Sequence, residues 1–275
     1  MKRKGFKGIL LLLSMLFALT GCSVSEATQH GMAVDTIQAE DVLLRVDFLN
    51  VGQADCALLS TNGHYMVIDG GNNGDADTIL SYLEGQGVEK LDAVVGTNPH
   101  EDHIGSLDAI INHFDVDAVY MPKIMHTSKT FEDVLDAVAN KGLKIKSPSP
   151  GDTIDFNGLE IEVLGPQREY KDFNNNSIVL KVNAGETAFL FTGDAEETAE
   201  KDILQAGYDL QADVLKVGHH GSSTSSSQAF LQAVKPKYAV ISVGVGNSYH
   251  HPEEEALQRL QSIGAEIYRT DLQGN

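Results

Sequence analysis

The run Thr97-Asn98-Pro99-His100-Glu101-Asp102-His103-Ile104-Gly105 sets two imidazoles and two carboxylates in four consecutive positions. His100 and Asp102 stand two apart, so in extended backbone their side chains leave one face, while His103 opens a helix and turns back toward them. Imidazole with carboxylate suits a borderline divalent ion such as zinc, manganese or iron. Two further apolar runs end in the same residue types: Phe189-Leu190-Phe191-Thr192-Gly193-Asp194 in an acid, and Val214-Leu215-Lys216-Val217-Gly218-His219-His220 in a histidine pair. Alone, each also reads as a helix cap or a polar turn. Three strand ends that each deliver His or Asp make coincidence less credible, because sheet proteins typically present ligands beyond strand ends. His251 precedes Pro252, which opens a helix, and Ser222, Ser223 and Thr224 suit either a phosphate or a capping turn. Cys56 reads as a buried apolar residue. No Gly-x-Ser-x-Gly elbow or phosphate-cradling glycine loop supports a serine hydrolase or a nucleotide kinase.

These residues need elements to hold them, and the pattern supplies them. Short apolar runs at Leu43 to Leu49, Cys56 to Leu59, Tyr65 to Ile68 and Leu91 to Gly96 read as strands broken by Gly and Asn. Helical periods cover Asp75 to Gly85, Ile104 to Phe114 and Ser128 to Asn140. Strands follow at Val119 to Met121, Leu159 to Leu164, Ile178 to Val182, Ala188 to Phe191, Val214 to Val217, Ala239 to Val243 and Glu266 to Tyr268. Helices are expected at Ala195 to Gln205, Ala229 to Val234 and Glu253 to Ile263. Strand pairs early and late with helices between fit helix layers on sheets better than an all-parallel doubly wound fold. The pattern carries no internal repeat and no second linker.

The chain has 275 residues, with 39 acids against 20 bases and a formal charge of −19. That balance argues against a broad basic face for nucleic acid or an anionic membrane. Two cysteines are too few for a disulfide framework. Lys2, Arg3, Lys4 and Lys7 precede the apolar run Ile9 to Leu19 and then Thr20-Gly21-Cys22, the three regions of an export signal. Leu19-Thr20-Gly21-Cys22 resembles the lipobox of bacterial lipoproteins, which implies cleavage after residue 21, a lipid on Cys22, and a membrane-anchored protein at the cell surface. Residues 22–40, small and polar, read as a tether, leaving one domain over 41–275. Loss of the four basic residues leaves 16 bases against 39 acids, a net −23.

The segment Asn98 to Gly105 resembles the His-x-His-x-Asp-His signature of the metallo-β-lactamase superfamily. Asn50 to Asp55, Val67 to Gly71, Asn174 to Ser177, Thr192 to Asp194, Val214 to Ser223 and Tyr268 to Asp271 together resemble the hydrolase domain of ComEC-type competence proteins and their secreted stand-alone relatives. The resemblance implies an αββα four-layer sandwich; domains of this type usually run on into another strand after the segment matching Tyr268 to Asp271, whereas this sequence ends at Asn275. It implies His100 in a first metal site, Asp102 and His103 in a second, Asp194 bridging, and His219 as the late ligand. His220 then has a supporting or proton-transfer role, Asp69 orders the ligand loop, Asp102 orients or deprotonates water, and His251 serves the oxyanion or leaving group. Asn98 stands where the superfamily most often has its first His, and Asn174 to Ser177 where many members have another. The expectation is therefore either one ion at Asp102, His103, Asp194 and His219, or two ions favouring manganese with Asn98 as an oxygen ligand. The implied activity is metal-dependent hydrolysis of a phosphodiester, as in DNA, a nucleotide or a wall component, with no protein partner inferred. The alternatives are a metal-binding surface lipoprotein without turnover, or hydrolysis of another ester or a lactam.

Overall fold

A computed structural model describes residues 43–275. The expected signal 1–21, the lipidated Cys22 and the tether 22–40 lie outside the described residues. In chain order, β1 (Arg45–Phe48), β2 (Ala57–Thr61) and β3 (His64–Ile68) form an antiparallel meander, followed by α1 (Ala76–Gly85), β4 (Lys90–Leu91) and β5 (Ala93–Val95). Next come α2 (Glu101–Ile104), α3 (Leu107–His113), β6 (Asp115–Val116), β7 (Val119–Tyr120), α4 (Lys129–Asn140) and β8 (Ile145–Lys146). The second half runs β9 (Thr153–Phe156), β10 (Leu159–Gly165), β11 (Val179–Ala184), β12 (Thr187–Phe191), α5 (Glu197–Ala206), β13 (Val214–Lys216), α6 (Gln228–Val234), β14 (Tyr238–Ile241), α7 (Glu254–Ser262), β15 (Glu266–Arg269) and α8 (Thr270–Gln273).

Two sheets result, ordered β1-β2-β3-β5-β7-β8 and β15-β14-β13-β12-β11-β10-β9, with β4 and β6 forming a small separate pair. Alternation along each strand explains the layering, because successive side chains leave opposite faces. In β2, Ala57 and Leu59 point into the layer between the sheets while Leu58 points to the helices; in β3, Met66 and Ile68 point in while Val67 points out. The second sheet answers with Leu180, Val182 and Phe191 inward, and Val179 and Leu190 outward. Helices α1, α3 and α4 cover the first sheet through Ile79, Leu83, Ile110, Phe131, Val134 and Val138, and α5, α6 and α7 cover the second through Ile203, Phe230, Leu231 and Leu260. This is the αββα sandwich expected from the sequence. Ser128 accepts a hydrogen bond from Phe131 N and starts α4, whose buried Phe131, Val134 and Val138 each contribute roughly 1.5–3 kcal/mol.

The element boundaries differ in instructive places. The helix expected from Ile104 to Phe114 is two, α2 and α3, because the chain at Gly105 and Ser106 hydrogen-bonds to the loop after β3. The strand expected from Leu91 to Gly96 is interrupted at Asp92, whose carboxylate accepts from Tyr65 N. Directly after β15 the chain forms the single turn α8, Thr270–Gln273.

Candidate metal centre

The centre lies at the carboxyl ends of parallel strands. β3 pairs with β5, and β12, β13 and β14 run side by side, so Asp69, His100 to His103, Asp194, His219, His220 and Ser242 all follow strand ends on one edge. Backbone bonds weld these loops together: Asp69 N to Val95 O, Gly70 N to His103 O, Asp55 N to Asp102 O, and Gly105 N to Gly71 O. Gly105 is required there, since a Cβ would lie 2.2 Å from the Asn72 carbonyl carbon.

Four ligand atoms from Asp102, His103, Asp194 and His220 lie within 4.8 Å of one another, three of these residues being buried. Hydrogen bonds fix which ring nitrogens face inward. His103 Nδ1 lies 3.0 Å from Asp69 Oδ2, which also accepts from Thr97 Oγ1 at 2.7 Å, so Nδ1 carries the hydrogen and Nε2 turns to Asp194 Oδ2 at 3.0 Å. His220 Nδ1 donates to the Ser242 carbonyl at 2.9 Å, leaving Nε2 3.2 Å from Asp102 Oδ2 and 3.8 Å from Asp194 Oδ1. His103 Nε2 and Asp194 Oδ1 are buried without a hydrogen-bond partner. Inward-facing imidazole nitrogens against carboxylate oxygens require a proton or a cation between them, and the set fits a divalent ion. A ring oriented through its other nitrogen by a carboxylate or carbonyl is the usual support of a metal-binding histidine.

The electrostatics agree. Asp55, Asp69, Asp102 and Asp194 converge, and among the described residues Lys216 is the lysine that meets them, its Nζ 2.7 Å from Asp55 Oδ2. Without an ion the imidazoles take up the deficit. Burial opposes the charged form of His220, but Asp55, Asp194 and Asp102 outweigh it and push its pKa up to about 10. His103, also opposed by burial, is held well above the imidazole range by Asp194, Asp69 and Asp102. Burial works against Asp194 ionising, yet His103 and His220 hold it well below the usual carboxylate range, whereas burial raises Asp69.

The remaining predicted residues take different places. His219 and His220 both adopt left-handed backbone, φ 50° and 54°, a strained turn that sends His220 into the convergent group. His219 stays at its open side, Nε2 3.8 Å from Asp194 Oδ2 and Nδ1 3.4 Å from Glu196 Oε1. His220, where the sequence favoured His219, is thus the histidine of this pair within the convergent group of four. Asn98 is fully buried, and its groups are engaged elsewhere: Oδ1 accepts from His100 N, and Nδ2 donates to Phe173 O and Ser177 Oγ, the hydroxyl that also accepts from Asp194 N. It braces the Asp194 turn. His100 lies outside the group of four, its ring packed edge-on against Phe173 at 5.4 Å and His126 at 6.0 Å. His251 lines the same cleft, 5.5 Å from the His219 ring and 5.8 Å from Tyr249; burial, with His219 and His220 nearby, lowers its pKa, so it is a neutral hydrogen-bonding group at pH 7. Ser222 and Ser223 bond Glu253, and Thr224 bonds Glu196, so these hydroxyls organise the turn.

Sequence reasoning passed over Lys216 and gave Asp55 no role. A lysine inside the apolar strand Val214-Leu215-Lys216-Val217 was the available signal, since a buried lysine needs an anionic partner.

The cleft above the centre encloses about 510 Å³, bordered by Gln53, Asn72, Glu101, Asn174, Tyr249 and His251. Its lining contains no lysine or arginine.

Comparisons with known proteins agree with this architecture. Residues 49–245 match the Metallo-beta-lactamase superfamily. ComE operon protein 3 of Bacillus subtilis is 32% identical over 248 residues, covering 83% of this chain and 32% of that protein; Competence protein ComA of Neisseria gonorrhoeae is 33% identical over 228 residues, covering 82% and 30%. The chain spans about a third of the length of these relatives. The metallo-beta-lactamase fold protein YhfI from Bacillus subtilis superimposes with a TM-score of 0.59 at 11% identity, over 84% of this chain and 98% of that one, a likeness of fold. By its matched residues and its four-layer sandwich, the chain belongs to the metallo-beta-lactamase superfamily.

Proposed function

We propose that this protein is an exported, lipid-anchored hydrolase that cleaves phosphodiesters with one divalent ion, zinc or manganese. The observation that carries the reading is the convergence of Asp102, His103, Asp194 and His220 at the floor of an open cleft. Two imidazoles and two carboxylates suit zinc and manganese alike. An ion held there supplies Lewis acidity and makes water a competent nucleophile at neutral pH. Asp102, partly open to the cleft, is placed to orient that water and take its proton. His251, neutral and beside His219, is placed to donate a hydrogen bond to the leaving oxygen.

The cleft's lack of lysine and arginine argues for a substrate bearing one negative charge at the reacting group, neutralised by the ion, over a polyphosphate. The mature charge of −23 also favours a short phosphodiester, such as a nucleotide or wall component, over a long duplex. Relatives named for competence keep single-stranded DNA among the substrates to test. The anchor is the lipidated Cys22, and the tether 22–40 gives the hydrolase reach from the membrane.

The test is hydrolysis of bis-(p-nitrophenyl) phosphate and of single-stranded DNA by protein loaded with zinc or with manganese. Turnover that requires metal and falls at least ~100-fold in His103→Ala and in Asp194→Ala supports the reading. Absence of metal-dependent turnover on both substrates, or activity indifferent to both substitutions, contradicts it.

A further inference from the structure

Beside the cleft lies a second, larger cavity of about 710 Å³, walled by Met121, Ile124, Phe131, Leu135, Ile145 and Phe173. It does not overlap the metal centre, and none of the roles assigned above uses it. Its size and apolar walls are those of a small-molecule site. Its position connects it to the chemistry. Phe173 faces the cavity, His100 faces the cleft, and their rings meet edge to face at 5.4 Å, so the partition is one pair of rings thick. The next residue, Asn174, again lines the cleft. His126 packs on the Phe173 ring at 4.7 Å and on the His100 ring at 6.0 Å, and all three residues are half-buried.

We propose that this cavity binds the ring-bearing arm of the phosphodiester cleaved at the metal centre, a planar aromatic group such as a nucleobase. The proposal rests on the phosphodiesterase reading and names its substrate class. A phosphodiester has two ester arms, and the cleft has an aromatic platform on each side: Phe173 with His126 toward the cavity, and Tyr249, 67% exposed and stacked at 5.8 Å on His251, toward the opposite lip. A flat ring is the occupant these surfaces favour, because the edge-to-face rings and the Met121 and Met125 thioethers both attract an aromatic face. Base stacking on such platforms is sequence-tolerant and needs no basic groove, which suits a chain carrying a large acidic excess. The exposed Lys123 and Lys171 border the cavity together with the exposed Glu169 and Asp172, so its mouth is charge-balanced and the occupant is selected by its ring, with no charge attraction required.

The chain contains no tryptophan, which provides a clean probe. Met125, 75% exposed on the cavity rim, is replaced by Trp to give a single reporter, and metal-loaded M125W is titrated with four singly charged phosphodiesters: the methyl ester of AMP, methyl phenyl phosphate, dibutyl phosphate and dimethyl phosphate. Saturable quenching by the AMP ester and methyl phenyl phosphate, with dimethyl phosphate inert, is the expected result; the ratio of the first two separates a nucleobase site from a general aryl site. Adding Phe173→Leu, or independently Ile124→Glu, weakens binding of the AMP ester roughly 10-fold, the scale of one lost stacking partner, while both proteins keep the far-ultraviolet spectrum of M125W. Dibutyl phosphate binding as tightly as the AMP ester, absence of quenching by either ring compound, or indifference to both substitutions overturns the proposal. The readout is equilibrium binding, so an intact ring site in a protein without turnover counts against the phosphodiesterase reading alone, and turnover without a ring site counts against the subsite alone.

Discussion

At the residue scale, the centre depends on groups behind the ligands as much as on the ligands. Asp69 holds the His103 ring through Nδ1 and is itself fixed by Thr97 N and Oγ1 at 2.7 Å each. Asp69→Asn can present its amide nitrogen to His103 and so disturb the orientation of Nε2; metal affinity is expected to fall about 10–100-fold, read by competition with a chromophoric chelator. Lys216 acts one layer deeper. Its ammonium lies between Asp55 and the Val217 carbonyl at 2.7 and 2.8 Å, and both side chains of the ion pair are about 5% exposed. Lys216→Met leaves the Asp55 carboxylate in a dry site, and the metal-free protein is expected to lose about 3 kcal/mol, measured by urea unfolding. The convergent acids were legible in the sequence because Asp102 and Asp194 follow apolar runs at strand ends. The choice between His219 and His220 was not legible, since it turns on two consecutive left-handed residues that decide which ring points inward. Nor was the role of Asn98, whose partners Phe173 and Ser177 lie 75 and 79 residues away.

At the element scale, α2 carries two of the four convergent side chains, Asp102 and His103, although it is only four residues long. Its stability comes from the loop after β3, through Gly105 N to Gly71 O, Ser106 N to Gly70 O and Ser106 Oγ to Asn72 O. Gly105→Ala forces a methyl into the Asn72 and Asn73 backbone, so a loss of about 2–3 kcal/mol and a lower melting temperature are expected. A second element-scale effect is pH-dependent. Glu253, at the start of α7, accepts from Ser223 N at 2.8 Å and from Ser223 Oγ at 2.9 Å, and these bonds lower its pKa. A folded-state pKa below the unfolded value contributes stability at pH above the unfolded value, about 4.3, and that contribution is lost as pH falls through the folded value. Glu253→Gln should therefore melt below wild type at pH 7, with the gap narrowing as pH falls below the unfolded glutamate value in metal-free protein. The long strands and helices were readable from their alternation and period. The two-residue strands β6 and β8 were not, because neither extends an apolar run as Val119-Tyr120-Met121 does for the equally short β7; β4 was merged with β5, and β9 was missed although its residues alternate.

At the scale of the whole molecule, three apolar layers hold two sheets and six covering helices so that the polar ends of the parallel strands share one edge. The sequence allowed that arrangement to be read from alternating strands and helices, together with the resemblance of its motifs. The cavity beside Phe173 was invisible to it, being assembled from residues 121–147 and 169–176. The acidic excess, −19 over the full sequence, meets a local counterweight in Lys216, and the proposed divalent ion at the centre would supply a second. The measurement that bears most directly on this account is the metal content of protein purified without an affinity tag, determined by elemental analysis for wild type and three variants. The account predicts one zinc or manganese per wild-type chain, retained in His100→Ala and lost in Asp194→Ala and His220→Ala. An ion that persists in both Asp194→Ala and His220→Ala, or that disappears with His100→Ala, would contradict it.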